Sequence, residues 1–211
     1  MPIFFHESKY MNINFFLAGI TIIYAIAAHA AEQTEIIQLH PDRWQEYKQL
    51  RLKAIMQEPL AFGMFESDVS DKSENYWRTI VSDAFAQNNR WLVCAQHDGK
   101  LVGMVAAFPE YNSFSMCKHL AIVSSLYVIP EYREQGIATQ LMKELFTLLE
   151  KSNSITHVFL WVTETEKAAI QLYKKLGFGI TGSLSQSVKY NNNYYGMYLM
   201  ERGVKNQQTL N

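Results

Sequence analysis

Hydrophobic and polar positions form two different patterns along this chain, one typical of strands and one typical of helices. Short apolar segments predict strands at residues 34–39, 91–96, 101–108, 120–128 and 157–162, and a last strand pair around residues 190–194. Apolar residues at helical spacing predict helices at 44–56, 73–85, 137–151 and 167–176. The predicted order is β-α-α-β-β-β-α-β-α-β-β, an α/β fold with a mixed central β-sheet flanked by helices.

Turn and cap residues mark the ends of these elements. Asp42 is predicted to cap the first helix, Pro59 to end it, and Ser73 to open the second. The dipeptide Asp98-Gly99 predicts a hairpin between two strands. Gly177 stands where a left-handed residue ends the last helix.

The N-terminal segment has a pattern of its own. No charged residue occurs between Lys9 and Glu32, and an apolar run of 14 residues, 15–28, ends in the small-x-small site Ala28-His29-Ala30. This is typical of a secretory signal peptide and short for a membrane span, which needs about 20 apolar residues. A single anchor and a wrongly assigned start are the alternatives. We expect an apolar leader at 1–31, one domain at 32–203 and a C-terminal tail at 204–211.

Composition narrows the classes of function. The 211 residues include 19 Lys and Arg against 20 Asp and Glu, a net charge of −1, and 48% of them are hydrophobic. This composition excludes intrinsic disorder, and it argues against a nucleic-acid binder, which normally has a basic excess. Cys94 and Cys117 form neither a disulfide framework nor a zinc ligand set, so we expect no metal.

Residues 126–142 carry the most informative chemistry. A strand leads into a tight turn where the small residues Gly136 and Ala138 let the backbone approach a ligand, and the turn opens directly into a helix. Free amides and the helix dipole at such a start form an anion site suited to pyrophosphate. The turn lacks the Gly-Lys-Ser/Thr of nucleotide hydrolases and the third glycine of dinucleotide-binding folds. An ordinary strand-to-helix turn is the alternative.

Two sequence blocks resemble the GNAT family of N-acetyltransferases. The family signature Arg/Gln-x-x-Gly-x-Gly/Ala is matched by residues 133–138, after a strand and a Pro-x-Tyr turn at 130–132. A second block, Ala-x-x-Leu-Tyr-x-x-x-Gly-Phe, is matched by residues 169–178. Arg51-Leu52 and Ala61-Phe62-Gly63 are similar to the front half of many bacterial members, and the resemblance covers residues 34–202.

The resemblance implies the GNAT fold and transfer of an acetyl group from acetyl-CoA, as cosubstrate, to an amine. Backbone groups of Leu126 and Val128 would pair with the pantetheine arm as an added strand does. The amides of residues 134–139 would hold the pyrophosphate. The implied cofactor-binding residues of the turn are Arg133, Glu134, Gln135, Gly136, Ile137, Ala138 and Thr139.

The family resemblance also implies a catalytic acid. In many members a tyrosine at the position of Tyr173 protonates the departing thiolate. A tyrosine hydroxyl can donate at neutral pH because its unperturbed pKa is about 10. The alternative is that Tyr173 is a half-buried core aromatic of its helix.

The chain departs from the family pattern at three positions. Relatives that acetylate ribosomal-protein N-termini have a cofactor-contacting Asn where this chain has Glu166, and a Glu base where it has Trp161. The histone-acetylating branch has its Glu base where this chain has Ile122. Both substrate classes therefore lose support. The amine proton would pass to water, a backbone carbonyl or a side chain such as Glu110, Glu66 or His119.

The acceptor is expected opposite the CoA arm, between the first two helices and the last strand pair. Its predicted lining residues are Phe62, Trp77, Tyr190, Tyr194 and Tyr195, with plain packing as the alternative, and residues 191–193 are predicted to be a turn.

Because acetyl-CoA is a cytosolic metabolite, the family resemblance and the leader conflict. We predict a cytoplasmic catalytic domain. The alternative is an exported or anchored protein whose membrane contact is through residues 13–31. The main function hypothesis is an N-acetyltransferase, monomeric or homodimeric, that acts on a small-molecule or peptide amine and binds no nucleic acid. The other hypotheses are a catalytically silent acyl-CoA-binding or sensor module, and an exported domain that has lost CoA binding.

Overall fold

The structure is a computed structural model that describes residues 34–109, 115–152 and 154–205. The predicted leader, Glu110 and residues 206–211 of the predicted tail lie outside these residues. Across the part of the chain that is described, no helix is long and apolar enough to cross a membrane.

One sheet organises the described residues. Its strands are β1 Glu35–Gln38, β2 Trp91–His97, β3 Lys100–Phe108, β4 Leu120–Val128, β5 His157–Thr163, β6 Gly179–Tyr190 and β7 Asn193–Gly203. Their spatial order is β1-β2-β3-β4-β5-β7-β6. The β4–β5 pair is parallel, and the other described pairs are antiparallel. The predicted mixed sheet is confirmed.

Helices cover both faces of this sheet. They are α1 Trp44–Gln57, α2 Pro59–Phe62, α3 Ser67–Ser70, α4 Glu74–Phe85, α5 Ile137–Ser152 and α6 Lys167–Lys175. The four long helices were predicted. The four-residue helices α2 and α3 were not, because a single turn is too short to produce a periodic pattern.

Most of the predicted end signals are confirmed. The Ser73 side chain accepts a hydrogen bond from the amide of Tyr76 at 3.3 Å, and Gly177 has a left-handed φ of +89°. The predicted cap at Asp42 is wrong. A 3₁₀ turn, Pro41–Arg43, comes first, and the His40 side chain caps it by accepting from the Asp42 amide. Pro41 holds His40 extended, which moves the start of α1 to Trp44.

The core has two parts, one on each face of the sheet. On one face α5 buries Leu141, Leu145 and Leu149 completely. On the other face, α1 and α4 bury residues such as Ile55 and Trp77 against β2 and β3. Each fully buried aliphatic side chain of this size contributes about 1.5–3 kcal/mol of transfer free energy, so the two layers hold β4 firmly between them.

Candidate active site

Strands β4 and β5 diverge after a short region of pairing. They are in register at Leu120 with His157, Ala121 with Val158, and Ile122 with Phe159. Beyond that point β4 continues against β3, and β5 continues against β7. A gap therefore opens between two strands in the middle of the sheet, and backbone groups of β4 on that side have no strand partner among the described residues.

A β-bulge in β4 accompanies the divergence. Ser125 and Leu126 together lie opposite the single residue Val105, because the register shifts between Met104 and Ala106. Ser125 has a φ of +63°, in the left-handed region that non-glycine residues seldom adopt. A bulge bends its strand and increases its twist, which turns the end of β4 away from β5.

A cleft of about 740 Å³ lies over the gap, bounded by β4, α1, α4 and α6. Four of the predicted cofactor residues line it, namely Leu126, Val128, Arg133 and Ala138. The predicted acid Tyr173 also lines it. The structure thus brings together residues from both sequence blocks that carry the family resemblance.

The turn before α5 contains the residues of the predicted anion site. Glu134 and Gly136 have left-handed φ values of +64° and +79°. The amides of the first helical turn have no acceptor within the helix, so they are available to an anion. Ile137 is 3% exposed and packs in the core, so its contribution to a ligand would come from its amide. The remaining members of the predicted set, Gln135 and Thr139, belong to this turn and to the start of α5.

Arg133 ties the turn to the rest of the cleft. Its Nε donates to the Val128 carbonyl at 2.9 Å, and its Nη2 donates to Oε1 of Glu58 at 2.8 Å. Glu58 directly follows α1, and the hydroxyl of Tyr127 donates to the Gln57 side chain beside it. The end of β4, the turn and the end of α1 are thereby held together.

Tyr173 is both a core residue and a residue of the cleft. It is 9% exposed, and its ring centroid lies 5.7 Å from that of Phe178. Burial, and secondarily the charge of Glu166, raise the pKa of the Tyr173 hydroxyl, so it stays protonated at neutral pH. The packing and catalytic interpretations of Tyr173 are therefore compatible.

Two carboxylates, Glu58 and Glu166, are among the residues that line the cleft. Glu58 is paired with Arg133, whereas burial and the charge of Glu58 raise the pKa of Glu166. Trp161 and Ile122, which replace the family bases, also line the cleft.

The proton acceptors suggested from the sequence do not line the cleft where they are described. His119 lies just before β4 with its ring centroid 6.5 Å from that of His157, and Glu66 is exposed just before α3. The described residues contain no group of three or more His, Cys, Asp or Glu side chains placed to hold a metal ion.

The far end of the cleft is formed by the helices. Phe62 and Trp77 line it as predicted, whereas Tyr190 lines a separate cavity of about 240 Å³. Tyr194 and Tyr195 belong to β7 and are absent from the described lining of the cleft. Sequence reasoning missed Tyr47, Arg51, Tyr76 and Arg90, which also line this end. Their convergence is a tertiary effect, and no local pattern in the sequence indicates it.

The fold and the cleft define an α/β protein whose sheet splits between β4 and β5, with a glycine turn and a helix start beside the split. Residues 36–178 match the model of the acetyltransferase (GNAT) family. This match covers more than half of the chain, so the chain belongs to the acetyltransferase (GNAT) family. The predicted family and fold are confirmed.

The individual relatives match about half of this chain at about one third identity. The chain is 31% identical over 101 residues to an uncharacterized N-acetyltransferase of Archaeoglobus fulgidus, covering 47% of this chain and 65% of the relative. It is 33% identical over 111 residues to an N-alpha-acetyltransferase of Sulfurisphaera tokodaii, covering 50% and 66%. The matches thus span slightly less than two thirds of these relatives. The solved structure of yncA from Salmonella typhimurium with its cofactor acetyl-CoA superposes with a TM-score of 0.70 at 13% identity, covering 85% of this chain and 98% of that one.

Proposed function

We propose that the protein is an acetyl-CoA-dependent N-acetyltransferase that acetylates an amine of a small molecule or a peptide. The observation that carries this proposal is the gap between β4 and β5, which leads to the start of α5 and is lined by Tyr173. An extended acyl carrier with an anionic end fits this gap, because its arm would lie along β4 and its anionic end at the start of α5.

The cosubstrate would be held mainly by backbone groups. In the described part of the chain, no strand pairs with β4 at Leu126 and Val128 on the side of β5, and this edge would pair with the amides of the pantetheine arm. The amides around Gly136 would bind the pyrophosphate, helped by the dipole of α5. This arrangement places the thioester farther along the cleft, towards the helices.

The reaction would be a direct transfer. The lone pair of the neutral amine attacks the thioester carbonyl carbon, and the tetrahedral intermediate then expels the CoA thiolate as the carbon–sulfur bond breaks. The protonated hydroxyl of Tyr173 donates its proton to that thiolate. We assign removal of the amine proton to Glu166, directly or through water, because it lines the same cleft and its burial, together with the charge of Glu58, raises its pKa and makes it a stronger base.

The relatives support the activity and the kind of acceptor. The protein of Sulfurisphaera tokodaii is an N-alpha-acetyltransferase, which is consistent with a peptide or amino-acid amine as the acceptor. The Salmonella structure holds acetyl-CoA in the same fold. A silent acyl-CoA-binding module, the alternative hypothesis, would bind the cosubstrate without turnover.

The test is to mix the full-length protein with acetyl-CoA and a panel of amines and to follow release of the CoA thiol. We expect acetyl-CoA at 100 times its dissociation constant to raise the melting temperature by about 5–10 °C, and at least one amine to give turnover. Binding without turnover on any amine would favour the silent module. Absence of both would refute the proposed function.

We also propose that the catalytic domain works in the cytoplasm, where acetyl-CoA is found. N-terminal sequencing of the protein from its own host tests this, and a mature chain that begins at Ala31 would contradict it.

A further inference from the structure

A cationic side chain without an anionic partner lines the far end of the cleft. Arg51 of α1 lines the cavity, and its Nη1 is buried without a hydrogen-bond partner among the described residues. The described groups in contact with this guanidinium are uncharged. Nη2 lies 3.9 Å from the sulfur of Met64, and the guanidinium carbon lies 4.6 Å from the ring centroid of Phe62. Burial lowers the pKa of Arg51, but a guanidinium keeps its charge at neutral pH.

Other donors lie around Arg51. Trp77 lines the same cavity, and its buried indole Nε1 likewise has no partner among the described residues. Tyr47 and Tyr76 also line the cavity and are close enough to interact electrostatically with Arg51. Arg90 adds a second guanidinium, with its carbon 5.0 Å from the ring centroid of Phe108.

Among the described residues, no acidic group forms an ion pair with either of these two arginines. Of the two carboxylates that line the cleft, Glu58 is paired with Arg133 at the cofactor end, and Glu166 interacts electrostatically with Glu58 and Arg133 at that same end. A buried charge without a partner is costly, so a ligand that supplies an anion there gains the interaction that the protein lacks. A carboxylate fits this set of donors because arginine binds it through two parallel hydrogen bonds.

We propose that this end of the cleft binds a carboxylate of the acceptor, so that the amine to be acetylated belongs to an amino acid or to a peptide with an acidic side chain near its N-terminus. This proposal rests on the proposed function and names its class of acceptor. Arg51 anchors the carboxylate, and Trp77 and the tyrosine hydroxyls complete its hydrogen bonds. Anchoring at this end leaves the amine of the acceptor directed towards Tyr173 and the thioester.

The test measures kcat/KM of the full-length protein for matched pairs of acceptors. One set pairs each amino acid with its carboxamide, and the other pairs peptide amides that begin with Asp or with Asn. We expect the acid of a pair to be preferred about 10- to 100-fold, the range for a hydrogen bond to a charged group. Preference within the first set identifies a free amino acid, and preference within the second identifies an acidic peptide. Equal kcat/KM in both sets overturns the proposal.

Variants test whether Arg51 causes the preference for the acid over the amide. Arg51→Gln should bring the ratio of acid to amide close to 1, mainly through KM, and Arg51→Lys should restore part of it. The matched control is Arg78→Gln, because Arg78 is an exposed arginine on α4 that pairs with Glu74 at 2.6 Å. If Arg51→Gln does not fold, two other results test the proposal. They are the ratio of acid to amide in the unchanged protein and the fall of that ratio in Arg90→Gln. An unchanged ratio in the folded Arg51→Gln protein overturns the proposal.

A second measurement separates the two proposals. The same acids and amides are tested as ligands in thermal melts, with acetyl-CoA measured in parallel. Stabilisation by the acid alone, lost in Arg51→Gln, supports the carboxylate site even where no acceptor is turned over. Equal effects of acid and amide overturn it. Loss of the acetyl-CoA shift in the unchanged protein would count against the proposed function and not against the carboxylate site.

Discussion

The Nη2 atom of Arg133 lies 2.8 Å from Oε1 of Glu58, and this ion pair joins the turn before α5 to the end of α1. The pair is part of the proposed cofactor end of the cleft, where a pyrophosphate would bring further negative charge. Glu58 therefore opposes the cosubstrate electrostatically while it holds Arg133 in place.

The first prediction concerns the electrostatic repulsion between Glu58 and the bound cosubstrate. Glu58→Gln should tighten acetyl-CoA binding by about two- to fivefold at low ionic strength, because it removes a like charge, and the gain should shrink in high salt. Stability should fall by no more than about 1 kcal/mol, since the pair is partly exposed. Calorimetry at two salt concentrations measures this. Glu46→Gln, which breaks the Arg43–Glu46 pair of the same 2.8 Å length outside the cleft, should leave binding unchanged. Weaker binding in Glu58→Gln would mean that orienting Arg133 matters more than charge.

The second prediction concerns the backbone of the turn. Gly136→Ala should destabilise the protein by about 1–2 kcal/mol, because alanine is strained at a φ of +79°, and should weaken acetyl-CoA binding by about tenfold as the amides move. Gly99→Ala is a close control. Gly99 has a φ of +75° in the β2–β3 hairpin, and an added Cβ would meet no atom within 4 Å at either site. If Gly136→Ala and Gly99→Ala lose the same stability and bind acetyl-CoA equally well, the turn does not hold the cosubstrate.

The third prediction tests the proposed acid. Tyr173→Phe keeps the ring that packs against Phe178 but removes the hydroxyl proton, so kcat should fall about 100-fold while acetyl-CoA affinity stays the same. Thiol release gives kcat, and the thermal shift gives affinity. Tyr198→Phe removes a hydroxyl from a partly buried tyrosine of β7 that does not line the cleft, and it should keep full activity. An unchanged kcat in Tyr173→Phe would leave Tyr173 as a packing residue.

The sequence predicted the scaffold well because its long elements have strong local signals. The apolar run of β4, the glycine turn and the periodic helix α5 are contiguous, so the strand, the turn and the helix start could be placed together. The place of Tyr173 in the site was implied by the family resemblance of residues 169–178, and Tyr173 does line the cleft.

The acceptor end was predicted only in part: Phe62 and Trp77 line it as expected, whereas Arg51 and Arg90 were not predicted there. Arg51 lies on α1 and Arg90 just before β2, and only the packing of α1 and α4 on β2 and β3 brings them to one cavity. The raised pKa of Glu166 likewise depends on its burial and on Glu58, which is remote from it in the sequence. Tertiary burial and long-range electrostatics leave no periodic trace in a single sequence.

The fourth prediction follows from that raised pKa. Between its ordinary value of 4.5 and its raised value in the folded protein, Glu166 binds more protons in the folded than in the unfolded state, so stability falls as pH rises through this window. Glu166→Gln should therefore increase the free energy of unfolding at neutral pH relative to the unchanged protein, and the increase should decline as pH falls through this window and be lost below 4.5. Urea denaturation across pH 4–8 measures it.

Glu46→Gln is the control for this pH series, because its effect on the free energy of unfolding should have the opposite sign. Hydrogen bonding to Arg43 lowers the pKa of Glu46, so its replacement should cost stability at neutral pH, and that cost should disappear in acid. In the activity assay Glu166→Gln should also reduce kcat/KM if it accepts the amine proton. Increased stability with unchanged activity would exclude Glu166 as the base and leave the proton to water.

The last prediction concerns the bulge that opens the sheet. Ser125→Val should destabilise the protein by about 1–2 kcal/mol, because a β-branched residue is strained at a φ of +63°, and it should weaken acetyl-CoA binding as β4 straightens towards β5. Ser125→Gly should keep binding, since glycine adopts that φ freely. Gln87→Val introduces similar strain at a φ of +53° after α4, away from the cleft, and should lower stability alone. If Ser125→Val binds acetyl-CoA as tightly as the unchanged protein, the split in the sheet does not depend on the bulge, and the diverging partners β3 and β7 must hold it open instead.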